Sequence, residues 1–258
     1  MIGHGERHLE GKPRGVTIAV IAAIAGAWLT VLGAAPAHAQ AGCNPPPKPE
    51  PLQTPLNLTL VKRQLVYYRC TRYDADLAKV LHEARAWVER RAGRVARPAL
   101  VLDIDETSLS NWEEILHNDF GFIAEGDCDL NSKRACGQGA WERSARAVAI
   151  VPTVHLFNAA KAHHVAVFFV TGRRDVWGER DATEFNLHKA GYEGWSGLYL
   201  RPQESHEHSV APYKTWARSD IEAHGYTIIA NVGDQWSDLA NGHAERRFKL
   251  PNPFYYLP

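Results

Sequence analysis

Apolar positions along the chain change their period repeatedly, and each change marks an element. From Tyr73, the residues Leu77, Val80, Leu81, Ala84, Trp87 and Val88 recur at helical spacing and stop near Gly93. PALVLDID (98–105) is short and almost wholly apolar until its last residues, the pattern of a strand buried on both faces of a parallel sheet. Pro152 opens a helix predicted to run to Ala162, and VAVFFVTG (165–172) is a second buried strand. The next helix, Val176 to Ala190, stops at Gly191, a residue type suited to the left-handed position that ends helices. LYLR (198–201) is a third strand, Pro212 to Ala223 a helix halted by Gly225, and TIIANVGD (227–234) a fourth strand followed by the helical turn SDLANG. Residues 108–150 keep neither period and read as an inserted cap, while NPPPKPEPLQTP (44–55) suits only an extended linker.

Strand and helix in alternation imply right-handed crossovers. The expected fold is therefore α/β: a Rossmann-like parallel sheet with helices on both faces and a small inserted cap. Ligands of such sheets sit beyond the carboxyl ends of the strands, so the polar residues there carry the functional question.

The amino end is of another kind. Arg7, Lys12 and Arg14 precede an apolar run from Val16 to Ala35, and Ala37 and Ala39 give the A-x-A spacing of a signal-peptidase site. The expected organisation is a signal peptide at 1–39, a Pro-rich linker at 40–60 and one domain at 61–258, with the cap at about 108–150. A secreted or periplasmic product follows. The alternatives are an uncleaved anchor, since the run has the ~20 residues a bilayer needs, or a lipoprotein modified at Cys43, against which Gln40 departs from the lipid-attachment pattern. The chain has 29 basic and 29 acidic residues; loss of 1–39 removes three and two, leaving 26 against 27. That balance excludes a general binder of nucleic acid or anionic membrane. The four cysteines all follow the signal, in an oxidising compartment. Cys128 and Cys136 flank a short polar loop and are expected to pair, leaving Cys43 for Cys70 unless Cys43 carries lipid.

At the strand ends the polar residues are coherent. The first strand ends in Asp103 and Asp105, the second in Thr171-Gly172-Arg173, the third leads to Lys214, and the fourth ends in Gly233-Asp234, with Asp238 four residues on. In this order, as Asp103-Ile104-Asp105-Glu106-Thr107, Thr171, Lys214 and Gly233-Asp234-Gln235-Trp236-Ser237-Asp238, they resemble the four motifs of haloacid dehalogenase superfamily phosphatases. The D-I-D-E-T variant, VTGRRD and the ending KLPNPFYYLP resemble more narrowly the secreted acid phosphatases of classes B and C and the plant vegetative storage proteins. The likeness spans about residues 60–258.

The resemblance implies Mg²⁺ held by Asp103, Asp234 and the backbone carbonyl of Asp105, with Asp238 acting nearby through water. Chemistry agrees: an anionic phosphomonoester repels a carboxylate nucleophile unless a hard, oxygen-seeking cation compensates. Asp103 would attack to give an aspartyl-phosphate, and Asp105 would protonate the leaving oxygen and then deprotonate water. Thr171 and the Gly172 backbone would hold phosphoryl oxygens, and Lys214 would neutralise developing charge. An ordinary carboxyl pKa of ~3.9 makes the acid form of Asp105 scarce at neutrality, which suggests an acidic optimum.

Other features have plainer readings. Arg173 and Arg174 are expected in salt bridges near the site; Lys161 and Lys189 are the rivals of Lys214; Glu106 has no assigned role. Trp112, Phe120 and Phe122 would either stack on an aromatic leaving group or pack in the core. His206 and His208 read as a solvated loop, and the Arg-His-Gly and G-x-S-x-G signatures of other hydrolases are missing. The expectation is an exported, Mg²⁺-dependent acid phosphatase acting on small phosphomonoesters, 5′-nucleotides among the candidates. The alternatives are a storage or binding protein on the same fold, or a phosphotransferase.

Overall fold

Two helices, α1 (Leu58–Thr71) and α2 (Tyr73–Arg91), lead into β1 (Pro98–Leu102), the middle strand of the main sheet. After β1 come β2 (Leu109–Ser110), α3 (Trp112–His117), α4 (Gln138–Arg143) and β3 (Val148–Ala149). The chain continues through α5 (Val151–Ala162), β4 (Ala166–Asp175), α6 (Glu179–Lys189), β5 (Gly197–Pro202) and α7 (Ala211–Ala223). It ends with β6 (Thr227–Gly233), α8 (Trp236–Leu239) and β7 (Arg247–Lys249). This computed structural model describes residues 47–48, 51, 54–203 and 210–257. The predicted signal peptide, Cys43 with its expected bond to Cys70, and His206 and His208 lie outside the described residues. No helix among the described residues is long and apolar enough to cross a membrane.

The main sheet has the order β5-β4-β1-β6-β7, and every pair in it is parallel. The predicted α/β architecture is the observed one. Alternation along the strands splits the core in two. Leu100, Leu102, Val167 and Phe169 pack with Leu81, Val88, Leu156 and Phe157 of α2 and α5, whereas Ala99, Val101, Phe168 and Val170 pack with Ala217 and Ile221 of α7. Helices therefore cover both faces.

Elements differ from expectation in four places, the first being a fifth strand in the main sheet: β7, which pairs with β6, lies beyond the four strands expected. Helix α1 begins at Leu58, within the stretch read as linker to residue 60, where the Asn57 side chain accepts from the Leu60 amide at 3.2 Å. Strand β4 runs on to Asp175 after an irregularity, so α6 starts only at Glu179, behind Gly178 with φ +76°. Strand β1 ends at Leu102 rather than 105: the carbonyl of Ile104 accepts the amides of Thr107, Ser108 and Leu109, and Glu106 takes φ +53°. Asp105 thus sits in a tight turn, not on a strand.

The segment between β1 and α5 leaves and returns at one place. Strands β2 and β3 pair antiparallel, and the Ile150 amide donates to the Ser108 carbonyl at 3.0 Å. Cys128 and Cys136 form a disulfide there. Asn118 grips Cys136 twice, donating to its carbonyl at 2.8 Å and accepting its amide at 2.7 Å. Trp112 and Phe120 meet edge to face with ring centres 6.0 Å apart and Trp112 packs on Phe254 at 5.1 Å, which makes them half-buried residues packed against the core; Phe122 is exposed.

Candidate active site

Strands β1 and β6 are neighbours, and the connections leaving their carboxyl ends diverge to opposite sides of the sheet, since β4 and β5 lie beyond β1 and β7 lies beyond β6. Such a switch point opens a crevice. Asp103 follows β1, and its amide still bonds to the Val232 carbonyl at 3.0 Å; Asp234 follows β6. Carboxylate oxygens of Asp103, Asp234 and Asp238 lie within 4.8 Å of one another, all three side chains buried.

Asp238 is held by its own helix end. Its carboxylate accepts the Gln235 amide at 2.7 Å in a reciprocal cap of α8. Lys214, in the first turns of α7, donates to Asp103 and to Asp238, each at 2.5 Å. Asp234 receives Thr107 Oγ1 at 3.1 Å, Gln235 Nε2 at 2.7 Å and Asn252 Nδ2 at 2.7 Å. Lys249 spends its ammonium on the backbone carbonyls of Asp234 and Leu250. Among the described residues, one side-chain cation, Lys214, therefore pairs with this cluster of three buried carboxylates, and it reaches only two of them. Burial raises the pKa of Asp103 well above the ordinary range against the pull of Lys214, with Asp238 and Asp234 adding to the rise. Burial, then the charge of Asp238, pushes Asp234 up to about 6. For Lys214, burial works against the charge, but Asp103 and Asp238 more than offset it and raise its pKa. Clustered hard oxygen donors with excess negative charge fit a divalent cation of the Mg²⁺ type.

Asp105 belongs to a second, adjoining cluster. Arg173, whose side chain is 1% exposed, donates through Nη2 to Asp105 Oδ1 at 2.6 Å and through Nε to Oδ2 at 3.1 Å. Burial would raise the Asp105 pKa, but the charge and hydrogen bonds of Arg173 overcome it and hold the group below the ordinary value. The salt bridge expected of the Arg173-Arg174 pair thus falls to Arg173. Thr171 is buried, and its hydroxyl oxygen accepts the Arg173 amide at 3.1 Å, which leaves its proton free to donate. Gly172 joins these two residues on β4. The rival lysines are elsewhere: Lys161 bonds the Gly194 carbonyl, and Lys189 the Ala145 carbonyl at 3.3 Å.

The structure also gathers residues to which the sequence assigned no role. Glu106 is buried; it accepts the Asn111 amide at 2.6 Å and the Tyr255 hydroxyl at 3.0 Å, and burial, then the charge of Asp105, pushes it up to about 8. Thr107 and Asn252 flank Asp234. Thr107 had a signal, as the closing residue of the first motif; Asn252 had none beyond the KLPNPFYYLP ending.

A family model for the HAD superfamily, subfamily IIIB (acid phosphatase), matches residues 54–258. Acid phosphatase 1 of Solanum lycopersicum is 30% identical over 187 residues, 72% of this chain and 69% of that protein. Vegetative storage protein 2 of Arabidopsis thaliana is 36% identical over 105 residues, 41% of this chain and 38% of that protein. The class C acid phosphatase from Bacillus anthracis shares the fold at a TM-score of 0.56 and 18% identity, over 77% of this chain and 86% of that one.

Proposed function

Because this chain belongs to subfamily IIIB of the HAD superfamily, the acid phosphatases, we propose that it hydrolyses small phosphomonoesters by nucleophilic attack of Asp103. The observation that carries the reading is the Lys214 ammonium at 2.5 Å from both Asp103 and Asp238, with the Asp234 carboxylate in the same buried cluster. Asp103, Asp234 and the Asp105 carbonyl would hold Mg²⁺, with Asp238 in support. When bound, the ion would offset the mutual repulsion of carboxylate and phosphate.

In this reading one Asp103 oxygen attacks phosphorus as the ester oxygen departs, leaving an aspartyl-phosphate that water then hydrolyses. The Thr171 hydroxyl and the Gly172 amide donate to phosphoryl oxygens, and Lys214 neutralises the charge that builds there. Asp105 gives a proton to the leaving oxygen and takes one from the attacking water. Arg173 favours the ionised form of Asp105, which suits the second step. The acid form needed for the first grows as pH falls, and a nearby phosphate dianion raises its share further. The first effect favours turnover at acid pH, and the second extends the acid form toward neutrality.

Export is part of the proposal, with cleavage near Ala39 or lipid attachment at Cys43 as the alternative. The amino-terminal pattern supports it, as does the Cys128–Cys136 disulfide, a bond at home in oxidising compartments. Likeness to a vegetative storage protein favours one second reading, a storage protein on this fold. Turnover of p-nitrophenyl phosphate by the parent, with and without EDTA and with Mg²⁺ restored, tests the enzyme reading against it. Asp103→Asn should be inactive and EDTA inhibitory; parental turnover in Asp103→Asn overturns the mechanism, indifference to chelation the metal. No turnover across a phosphomonoester panel at acid pH with Mg²⁺ selects storage, and phosphate appearing on added glycerol selects transfer over hydrolysis.

A further inference from the structure

Asn111 occupies the position just before α3, where an Asn side chain ordinarily accepts an amide of the first turn. Here its side chain makes no such cap. It is turned instead toward the acids. Its Nδ2 donates to Asp105 Oδ1 at 2.9 Å and to Glu106 Oε2 at 3.0 Å, using both amide protons. Its Oδ1 accepts the indole N–H of Trp141 at 2.7 Å. Indole nitrogen can only donate, so this contact dictates which end of the amide faces the carboxylates. Asn111 is 3% exposed and Trp141 1%.

The consequence falls on Asp105. Its Oδ1 receives Arg173 Nη2 at 2.6 Å, Arg173 Nε at 3.2 Å and Asn111 Nδ2 at 2.9 Å. Its Oδ2 receives Arg173 Nε alone, at 3.1 Å, among the described residues. One oxygen is therefore saturated and the other keeps an open lone pair. Trp141 belongs to α4 in the segment inserted between β1 and α5, and that segment is tied down by the Cys128–Cys136 bond and by the Asn118 grip on Cys136.

We propose that Asn111 is a positioning residue, oriented by Trp141, which holds Asp105 so that Oδ2 is the oxygen that carries the proton to the leaving group. The inserted segment then acts on the chemical step through one amide. The proposal rests on the acid–base role given to Asp105 above.

The test compares two substrates. A p-nitrophenolate leaves readily without a proton, whereas the alkoxide of glycerol phosphate does not. Asn111→Ala and Trp141→Phe, the second keeping an aromatic ring while losing the indole N–H together with the pyrrole part of the ring, should each lose at least about tenfold more kcat on glycerol phosphate than on p-nitrophenyl phosphate, from the ~10²–10⁴-fold that a positioned acid contributes. The combined variant should be no worse than Asn111→Ala, because Trp141 acts through Asn111. Asp105→Asn serves as the reference. Should Asp105→Asn show the selective loss while folded Asn111→Ala and Trp141→Phe lose both substrates in parallel, or neither, the positioning role is overturned and the phosphatase reading stands. Absence of a selective loss in Asp105→Asn itself overturns the acid–base role, and the positioning role with it. If Asn111→Ala does not fold, Trp141→Phe alone decides.

Discussion

Lys214→Met should turn a stable buried cluster into an unstable one, by an amount that depends on pH. The ammonium of Lys214 lies 2.5 Å from both Asp103 and Asp238, and the three residues are 4%, 5% and 3% exposed. Methionine fills similar space without the charge. Removing one partner of a buried ion pair leaves the other charge uncompensated at a cost of ~3–5 kcal/mol. For a domain of 150–250 residues each kcal/mol moves the unfolding midpoint by ~2–4 °C, so the expected fall is ~6–20 °C. Asp103 already holds its proton well above the ordinary range because of burial. Without Lys214 it holds it higher still, and a protonated carboxyl escapes most of the cost. The fall should therefore be large at pH 7.5 and smaller at pH 5. Thermal unfolding followed by circular dichroism, in EDTA at both values, measures it. Excess Mg²⁺ should recover more of the midpoint in the variant than in the parent, since binding to the folded state alone stabilises it. A midpoint in EDTA at pH 7.5 within ~2 °C of the parent would refute the reasoning, because a charge pair of no consequence costs under ~1 kcal/mol.

Acid should also stabilise the parent protein. Burial raises Glu114 and Glu142 to about 7 and Glu106 to about 8, from 4.5. The folded state then keeps protons that the unfolded chain has released, so stability is full below about 4.5 and falls as pH rises toward 7–8. Unfolding midpoints should be higher at pH 5 than at pH 8.5, and Glu114→Gln should shrink the stability difference between those two pH values by no more than about 3 kcal/mol; an unchanged difference in that variant contradicts the assignment. Gly233→Ala would drive its new methyl into the Asp238 side chain. Overpacking of this kind costs ~1–3 kcal/mol, and here it displaces a member of the carboxylate cluster, so turnover should fall with stability. Parental turnover in Gly233→Ala would show that Asp238 tolerates displacement.

Much of the protein is written locally. Strands β1, β4 and β6 were legible because burial on both faces demands unbroken apolar runs, and α2 because one buried stripe imposes a helical period. Each of the four motif segments that reach the site follows such an element or begins one, so order along the chain sufficed to bring Asp103, Thr171, Lys214 and Asp234 to one sheet edge. Helix α1 was hidden because LTLVKRQLVYYRCT mixes basic with apolar residues behind a Pro-rich stretch, and α6 began late because Gly178 has no preferred sign of φ.

What only the tertiary structure decided is which polar groups meet. Arg173 reaches Asp105 across 68 positions, Tyr255 reaches Glu106 across 149, and Trp141 reaches Asn111 from a helix in the insert. None of these pairs leaves a period in the sequence. Burial is a property of a position and repeats with the backbone geometry, whereas a hydrogen bond between distant residues exists only once packing has set both ends. The sequence by itself therefore determined the sheet and the acids at its edge, and packing determined which oxygen of Asp105 is left open.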